Sequence, residues 1–190
     1  MAKQFPKIEA THRSFIERQH IFFVGSAAQG TRVNVSPKGL DAFRLIDDHA
    51  AVYLDHTGSG NETAAHLAAD GRLTIMFCAF DGPPLILRLY GRGRILPRGG
   101  AEYRDLLETL FGDVEPVGAR QMVRIDFDLV QTSCGFGVPL YDYEGERPSL
   151  PRWAASKGEE GIVAYRREKN SVSMDGLPTF LVEADEAAAG

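Results

Sequence analysis

The order of strand-like and helix-like segments most constrains how this chain can fold. Residues 123–129 alternate apolar side chains with Arg124, Asp126 and Asp128, which is typical of a strand with one solvent-exposed face. Further strands are predicted at residues 20–24, 32–36, 51–55, 73–80 and 86–95. Helices are predicted at residues 8–19, 64–68, 101–111 and, in part, 153–169. Because strands and helices do not form repeated β-α-β units, the order disfavours a doubly wound parallel sheet. It favours an antiparallel, mainly β barrel of the α+β type, with helices covering the barrel.

The length and composition of the chain are those of one globular domain. Its 190 residues are 44% hydrophobic and 25% charged, which is enough apolar material for a sizeable core. The sequence contains no repeat and no low-complexity linker. We therefore expect a single domain over residues 1–190, with an acidic, disordered tail at about residues 183–190.

Charge and cysteine usage exclude several classes of partner. The formal net charge of −5 argues against nucleic-acid or anionic-membrane binding. No apolar run approaches the ~20 residues of a spanning helix, and no secretory signal is visible, so we expect no membrane association and a cytoplasmic location. Cys78 and Cys134 do not form a CxxC pair, and the five histidines form neither HxH nor HExxH, so no metal site is predicted.

The strongest local motif is the glycine-rich turn at residues 58–63, Gly-Ser-Gly-Asn-Glu-Thr. It follows a strand and precedes a helix, so backbone N–H groups and the positive end of the helix dipole come together there. This arrangement suits a phosphate. An ordinary capped helix start is the alternative, since Ser and Asn are preferred capping residues. The turn is neither a Walker A loop nor a GxGxxG fingerprint.

Several other residues carry alternative interpretations. Among the strand cations, Arg88 has strongly apolar neighbours and is expected to have a partner, whereas Arg92 and Arg94 suit a solvated face. Gly91 indicates a bulge or the close approach of another backbone. Cys134 is either a reactive thiol or a buried structural cysteine. We assign no catalytic residue.

Five segments occur in a recognisable order, at residues 33–39, 58–63, 77–80, 87–91 and 134–139. Together they resemble the pyridoxamine 5′-phosphate oxidase-related FMN-binding proteins, which are split β-barrel flavoproteins. The resemblance covers roughly residues 12–178. It implies a homodimer with FMN sites at the subunit interface and a small-molecule substrate.

The resemblance also implies which residues bind the cofactor. The strand ending at residues 36–38 would lie along the flavin ring, and the strand at residues 53–55 would support the cofactor. Cys134 and Trp153 would approach the flavin of the partner subunit. The residues expected to bind FMN are Asn34, Val35, Ser36, Pro37, Lys38, Tyr53, Asp55, Ser59, Gly60, Asn61, Glu62, Thr63, Arg88, Cys134 and Trp153.

Two departures from the family pattern qualify this expectation. Relatives often carry a Ser-x-Lys pair on the turn and helix, where this chain has Asn61 and Thr63, so Lys38 or Arg88 is expected to supply the missing charge. The Arg-x-His and Arg-Leu-x-Pro segments that help true pyridoxamine phosphate oxidases to bind the vitamer phosphate are not found. We therefore expect an FMN-dependent oxidoreductase acting on another small molecule. A non-catalytic flavin-binding or sensing protein, and a split barrel that uses F420 or haem, are the alternatives.

Overall fold

The computed structural model of the protein describes residues 2–181. Its centre is one antiparallel sheet of eight strands, in the order β3-β2-β6-β7-β8-β5-β4, with β1 paired to β8. The strands are β1 (Lys3–Phe5), β2 (Phe22–Ser26), β3 (Asn34–Lys38), β4 (Phe43–Leu45), β5 (Ala50–His56), β6 (Arg72–Cys78), β7 (Ile86–Pro97) and β8 (Ala119–Ser133). The antiparallel, mainly β prediction is therefore confirmed, and β1 and β4 are additional to the predicted strands.

Within the described residues, four helices cover the sheet: α1 (Ala10–Ile16), α2 (Glu62–Ala69), α3 (Ala101–Phe111) and α4 (Ser149–Lys169). Gly71, with φ +85°, ends the turn after α2, and Gly158 interrupts α4 with a non-helical conformation. The partial helix predicted at residues 153–169 is therefore confirmed. The predicted tail lies outside the described residues, and the single-domain organisation and cytoplasmic location stay predictions.

The core has two parts, one on each face of the sheet. Apolar side chains of α1 and of strands β2, β5, β6, β7 and β8 form the larger cluster, which includes Phe22, Phe77 and Ile125. The second cluster packs α3, through Leu106 and Leu107, on β5, β7 and β8. Within residues 2–181, no helix is long and apolar enough to cross a membrane.

The strand pairing accounts for two single residues, Pro37 and Gly91, and it confirms the close backbone approach predicted at Gly91. Pro37 lies in β3, an edge strand, where its missing N–H costs no ladder hydrogen bond on the open side. At Gly91 of β7 the register with β8 shifts, with Asp128 of β8 as the extra residue, and a Cβ atom on Gly91 would lie 2.2 Å from the carbonyl oxygen of Asp126. Only glycine allows the two backbones to approach so closely.

Candidate functional site

A groove of about 360 Å³ lies between the edge strand β3, the end of β5 and the start of α2. Ten of the fifteen predicted cofactor-binding residues line it. They are Asn34, Ser36, Pro37, Lys38, Asp55, Ser59, Gly60, Asn61, Glu62 and Thr63. The remaining lining residues are His56, Gly58 and Arg120, and none of the three was among the predicted cofactor-binding residues.

Asp55 is the electrostatic centre of the groove. Its carboxylate accepts hydrogen bonds from Lys38 Nζ at 2.7 Å, from Arg120 Nη2 at 2.6 Å and from Gln121 Nε2 at 3.0 Å. Burial alone would raise the pKa of Asp55, but the two cations overcome this effect and hold the pKa well below its usual range. Asp55 is therefore ionised at neutral pH, and it fixes both cations in place.

A β-bulge brings Arg120 to this position. Asp55 pairs with Gln121 and His56 pairs with Ala119, so Arg120 is the extra residue on β8. A strict two-residue period would send Arg120 and Gln121 to opposite faces, whereas both side chains bond Asp55. Bulges commonly redirect a side chain in this way beside functional sites. The regular alternation of residues 123–129 does not extend to this point, so the sequence pattern could not predict it.

Two carbonyl groups of the 58–63 turn, those of Gly58 and Gly60, accept hydrogen bonds from side chains. Arg120 Nη1 donates to Gly60 O at 2.9 Å, and Asn170 Nδ2 donates to Gly58 O at 3.0 Å. Arg120 Nη1 also donates to Asn170 Oδ1 at 2.9 Å, which ties the two anchors together. Because these two carbonyls already accept hydrogen bonds and the turn leads into the first turn of α2, the unpaired N–H groups expected at a helix start favour an anion here.

Asn61 provides a buried donor at the same place. Its Oδ1 accepts a hydrogen bond from Gln121 Nε2 at 2.9 Å, which fixes the orientation of the amide. Its Nδ2 is buried and has no hydrogen-bond partner within residues 2–181. Because a buried donor without a partner is costly, this atom suits an acceptor supplied by a ligand.

The charged groups that line the groove balance one another. Lys38 and Arg120 are positive, and Asp55 and Glu62 are negative. Burial lowers the pKa of His56, so this side chain is neutral at pH 7. Glu62 accepts hydrogen bonds from the backbone N–H of Met174, at 3.1 and 3.2 Å. An anion in the groove would therefore depend on directed donors more than on net charge.

A polar network continues from the groove into the core. Asn34 Nδ2 donates to Thr63 Oγ1 at 3.3 Å, and Ser36 Oγ donates to Asn34 Oδ1 at 3.3 Å. Ser26 Oγ lies 3.0 Å from His66 Nδ1 in the buried interior. These bonds join β2, β3 and α2, so they fix the edge strand against the helix that carries the turn.

Five predicted residues do not line the groove. Tyr53 is fully buried beneath it, with Lys38 Nζ 5.8 Å from its ring centre, and burial raises its pKa well above the ordinary value. Val35 is 63% exposed on the other side of β3. Trp153 packs edge-on against Tyr165 within α4. Cys134 is exposed, which contradicts the interpretation as a buried structural cysteine.

Arg88 cannot supply a cation to the groove of its own chain. It pairs with Met76, Met76 with Phe23, and Phe23 with Pro37, so these side chains share one face of the sheet. Lys38 follows Pro37 and therefore faces the opposite side. The Arg88 guanidinium instead donates to Ser133 Oγ at 3.1 Å. Arg120, and not Arg88, is the second cation of the groove.

The fold and the groove define a class of protein: a split β-barrel with a polar groove at the start of a helix. Comparison with known proteins gives the family. The sequence model described as pyridoxamine 5′-phosphate oxidase matches residues 8–134, and the chain belongs to this family.

Individual relatives support this assignment. The pyridoxamine 5′-phosphate oxidase family protein ustO of Aspergillus flavus is 39% identical, over 87% of this chain and 73% of that protein. Among solved structures, HupZ of Group A Streptococcus has a TM-score of 0.55 at 21% identity, covering 66% of this chain and 99% of that chain. HutZ, the haem storage protein of Vibrio cholerae, has a TM-score of 0.50 at 12% identity, covering 65% and 93%. The two structures show similarity of fold, and the predicted split-barrel architecture and family are confirmed.

Proposed function

We propose that this protein binds FMN, with the phosphate at the 58–63 turn, and acts as an oxidoreductase on a small molecule. The observation that carries the proposal is the buried Nδ2 of Asn61, which lacks a partner within residues 2–181 and belongs to a residue that lines the groove beside a turn whose Gly58 and Gly60 carbonyls already accept hydrogen bonds. Membership of the pyridoxamine 5′-phosphate oxidase family supports the choice of cofactor.

The residues of the groove fit a phosphate through donors of several kinds. Asn61 would donate from its side-chain amide, and the turn would donate from its backbone N–H groups. Lys38 would contribute a positive charge from the opposite wall, held in place by its bond to Asp55 at 2.7 Å. Arg120 would act behind the turn, because its side chain is 3% exposed and already bonded to Asp55, Gly60 and Asn170.

The bound flavin would supply hydride or electron transfer, and the protein would supply binding, orientation and the electrostatic environment. Among the protein's contributions, β3 places Ser36 and Lys38 along the groove, and the hydrogen bond between Asn34 and Thr63 fixes this edge strand to α2. The chain's own role is thus to hold the cofactor rigidly against an edge strand.

We also propose that two chains form a homodimer with the cofactor between them. Pro37 of the groove shares one face of the sheet with Phe23, Met76 and Arg88, so this face adjoins the groove, and it is incompletely covered: Val35 is 63% exposed, and Phe23, Met76 and Arg88 are partly exposed. A second copy on this face would bury them. The predicted contacts of Arg88, Cys134 and Trp153 with a flavin would then be made across the interface.

The absorption spectrum of the purified protein, with the released cofactor identified by mass, tests the proposal. We expect bands in the near-ultraviolet and blue, and FMN released on denaturation. A colourless protein whose melting temperature does not change with added FMN would refute FMN binding. A Soret band, or release of F420, would identify haem or F420 in place of FMN. Bound FMN without turnover by any reductant and acceptor would favour the non-catalytic alternative.

A further inference from the structure

A second cavity, of about 590 Å³, lies beside the groove and shares Pro37 and Lys38 with it. Its volume is within the range of small-molecule sites. Four aromatic rings line it, those of His20, Phe80, Tyr141 and Tyr143. We name this cavity the aromatic pocket.

The rings of the aromatic pocket are already arranged in pairs. His20 and Tyr143 stack in parallel, with 3.7 Å between ring centres and 4° between planes. Phe80 and Tyr141 lie 5.7 Å apart, and the Tyr141 N–H donates to Phe80 O at 2.8 Å. Tyr141 and Tyr143 nevertheless remain 64% and 52% exposed. Flat aromatic surface therefore stays available for a further ring.

The charged side chains that line the pocket are of both signs. Three are cations, Arg18, Arg147 and Lys38, whose ammonium group bonds Asp55 in the groove, and three are carboxylates, Asp81, Asp142 and Glu146. The Glu146 carboxylate also accepts a hydrogen bond from the Tyr143 hydroxyl at 3.1 Å. A lining of this kind offers no net attraction to an ionic ligand, so it favours an uncharged one.

The two cavities differ in which part of the chain builds them. Every residue that lines the groove lies within residues 8–134, the part matched by the family model. Eight residues that line the aromatic pocket, from Tyr141 to Leu150, lie beyond it. A cofactor used throughout a family is expected to be held by the shared part. Lining residues that lie outside the shared part of the chain are suited to select the substrate.

We propose that the aromatic pocket is the substrate site and that it takes an uncharged, planar aromatic molecule. This inference rests on the proposed function, because the shared residues Pro37 and Lys38 would place such a ring next to the cofactor.

Calorimetric titration with 2-naphthol tests the inference on both the FMN-loaded and the FMN-free protein. Decahydro-2-naphthol is the matched ligand control, because it has the same ring size and hydroxyl group but no flat aromatic face. Tyr141→Ala and Tyr143→Ala remove lining rings, and each should weaken 2-naphthol binding roughly two- to tenfold. Tyr143→Phe keeps the ring and should bind as the original protein does.

Phe136→Ala is the matched control variant, since Phe136 lies in the same loop, is 82% exposed and does not line the pocket. It should leave 2-naphthol binding unchanged. None of these four variants should alter FMN affinity.

Three results would overturn the inference: no binding of 2-naphthol, equal binding of the saturated control, or loss of 2-naphthol binding when FMN is added. The last result would mean that the flavin ring itself occupies the pocket. Failure of the proposed function is distinguishable, because the protein would then bind 2-naphthol in the aromatic pocket while binding no FMN.

Discussion

Replacing Asn61 with Asp changes the groove at one atom while keeping the shape of the side chain. The oxygen that accepts from Gln121 at 2.9 Å can be retained, and the buried donor without a partner becomes a carboxylate oxygen. A ligand phosphate at this position would lose one charge-assisted hydrogen bond and meet a like charge.

The expected magnitude follows from the donor alone. A hydrogen bond to a charged group contributes roughly 1.5–3 kcal/mol, which corresponds to a loss of roughly tenfold to 150-fold in FMN affinity. Repulsion between the two anions adds to this loss. Because burial raises the pKa of a carboxyl group, the measurement should be made at about pH 8, where the new carboxylate is ionised.

The assay is a fluorescence titration with FMN and, separately, with riboflavin, which has the same ring but no phosphate. Asn61→Asp should weaken FMN binding and leave riboflavin binding within about threefold, since the phosphate alone meets the new charge. Asn61→Ala removes the donor without adding charge and should weaken FMN binding by roughly tenfold, the lower end of the expected range.

Equal losses for FMN and riboflavin, in a variant whose melting temperature is unchanged, would refute the assignment of Asn61 to the phosphate. Unchanged FMN affinity in both variants would refute it as well.

Three further predictions concern stability. Asp55→Asn leaves Arg120 as a buried, poorly compensated cation and should reduce the free energy of unfolding by about 3–5 kcal/mol, measured by urea denaturation. The pKa of Asp55 is lowered in the folded protein, so the ionised carboxylate contributes its full share to the free energy of unfolding above about pH 4, and this share is lost as the pH falls toward the folded pKa. Thermal melts from pH 6 to pH 2 should therefore show a loss of stability in acid that is smaller in Asp55→Asn. Gly91→Ala places a Cβ atom 2.2 Å from Asp126 O and should lower the free energy of unfolding by about 1–3 kcal/mol or more. Gly137 has open space around it, so Gly137→Ala is the control and should change the free energy of unfolding little. Equal melting temperatures of the two variants would contradict the strand packing described above.

The sequence predicted features that depend on local chemistry. The amphipathic pattern of residues 101–111 gave α3 with its bounds, because Tyr103, Leu106 and Leu107 recur on one helical face. The 58–63 turn was recognised because glycines and short polar side chains precede a helix. Both signals lie within a few consecutive residues.

Features that depend on distant partners were not predictable in the same way. β1 and β4 have three residues each, too few to show a period, and they exist because β8 and β5 pair with them. Arg120 enters the groove through a bulge that only the pairing of β5 with β8 reveals. Asn170 lies fifty residues beyond Arg120, and nothing in the sequence pattern predicted that it would bond both Arg120 and the carbonyl of Gly58 in the turn.

The position of Trp153 gives the protein a built-in optical reporter. It is the chain's one tryptophan, and it lies in α4 against Tyr165, outside the groove. Its emission therefore reports the packing of α4 without being perturbed by direct contact with a ligand in the groove of the same chain. Emission of tryptophan overlaps flavin absorption, so energy transfer after FMN addition would measure how near a bound flavin lies to this helix.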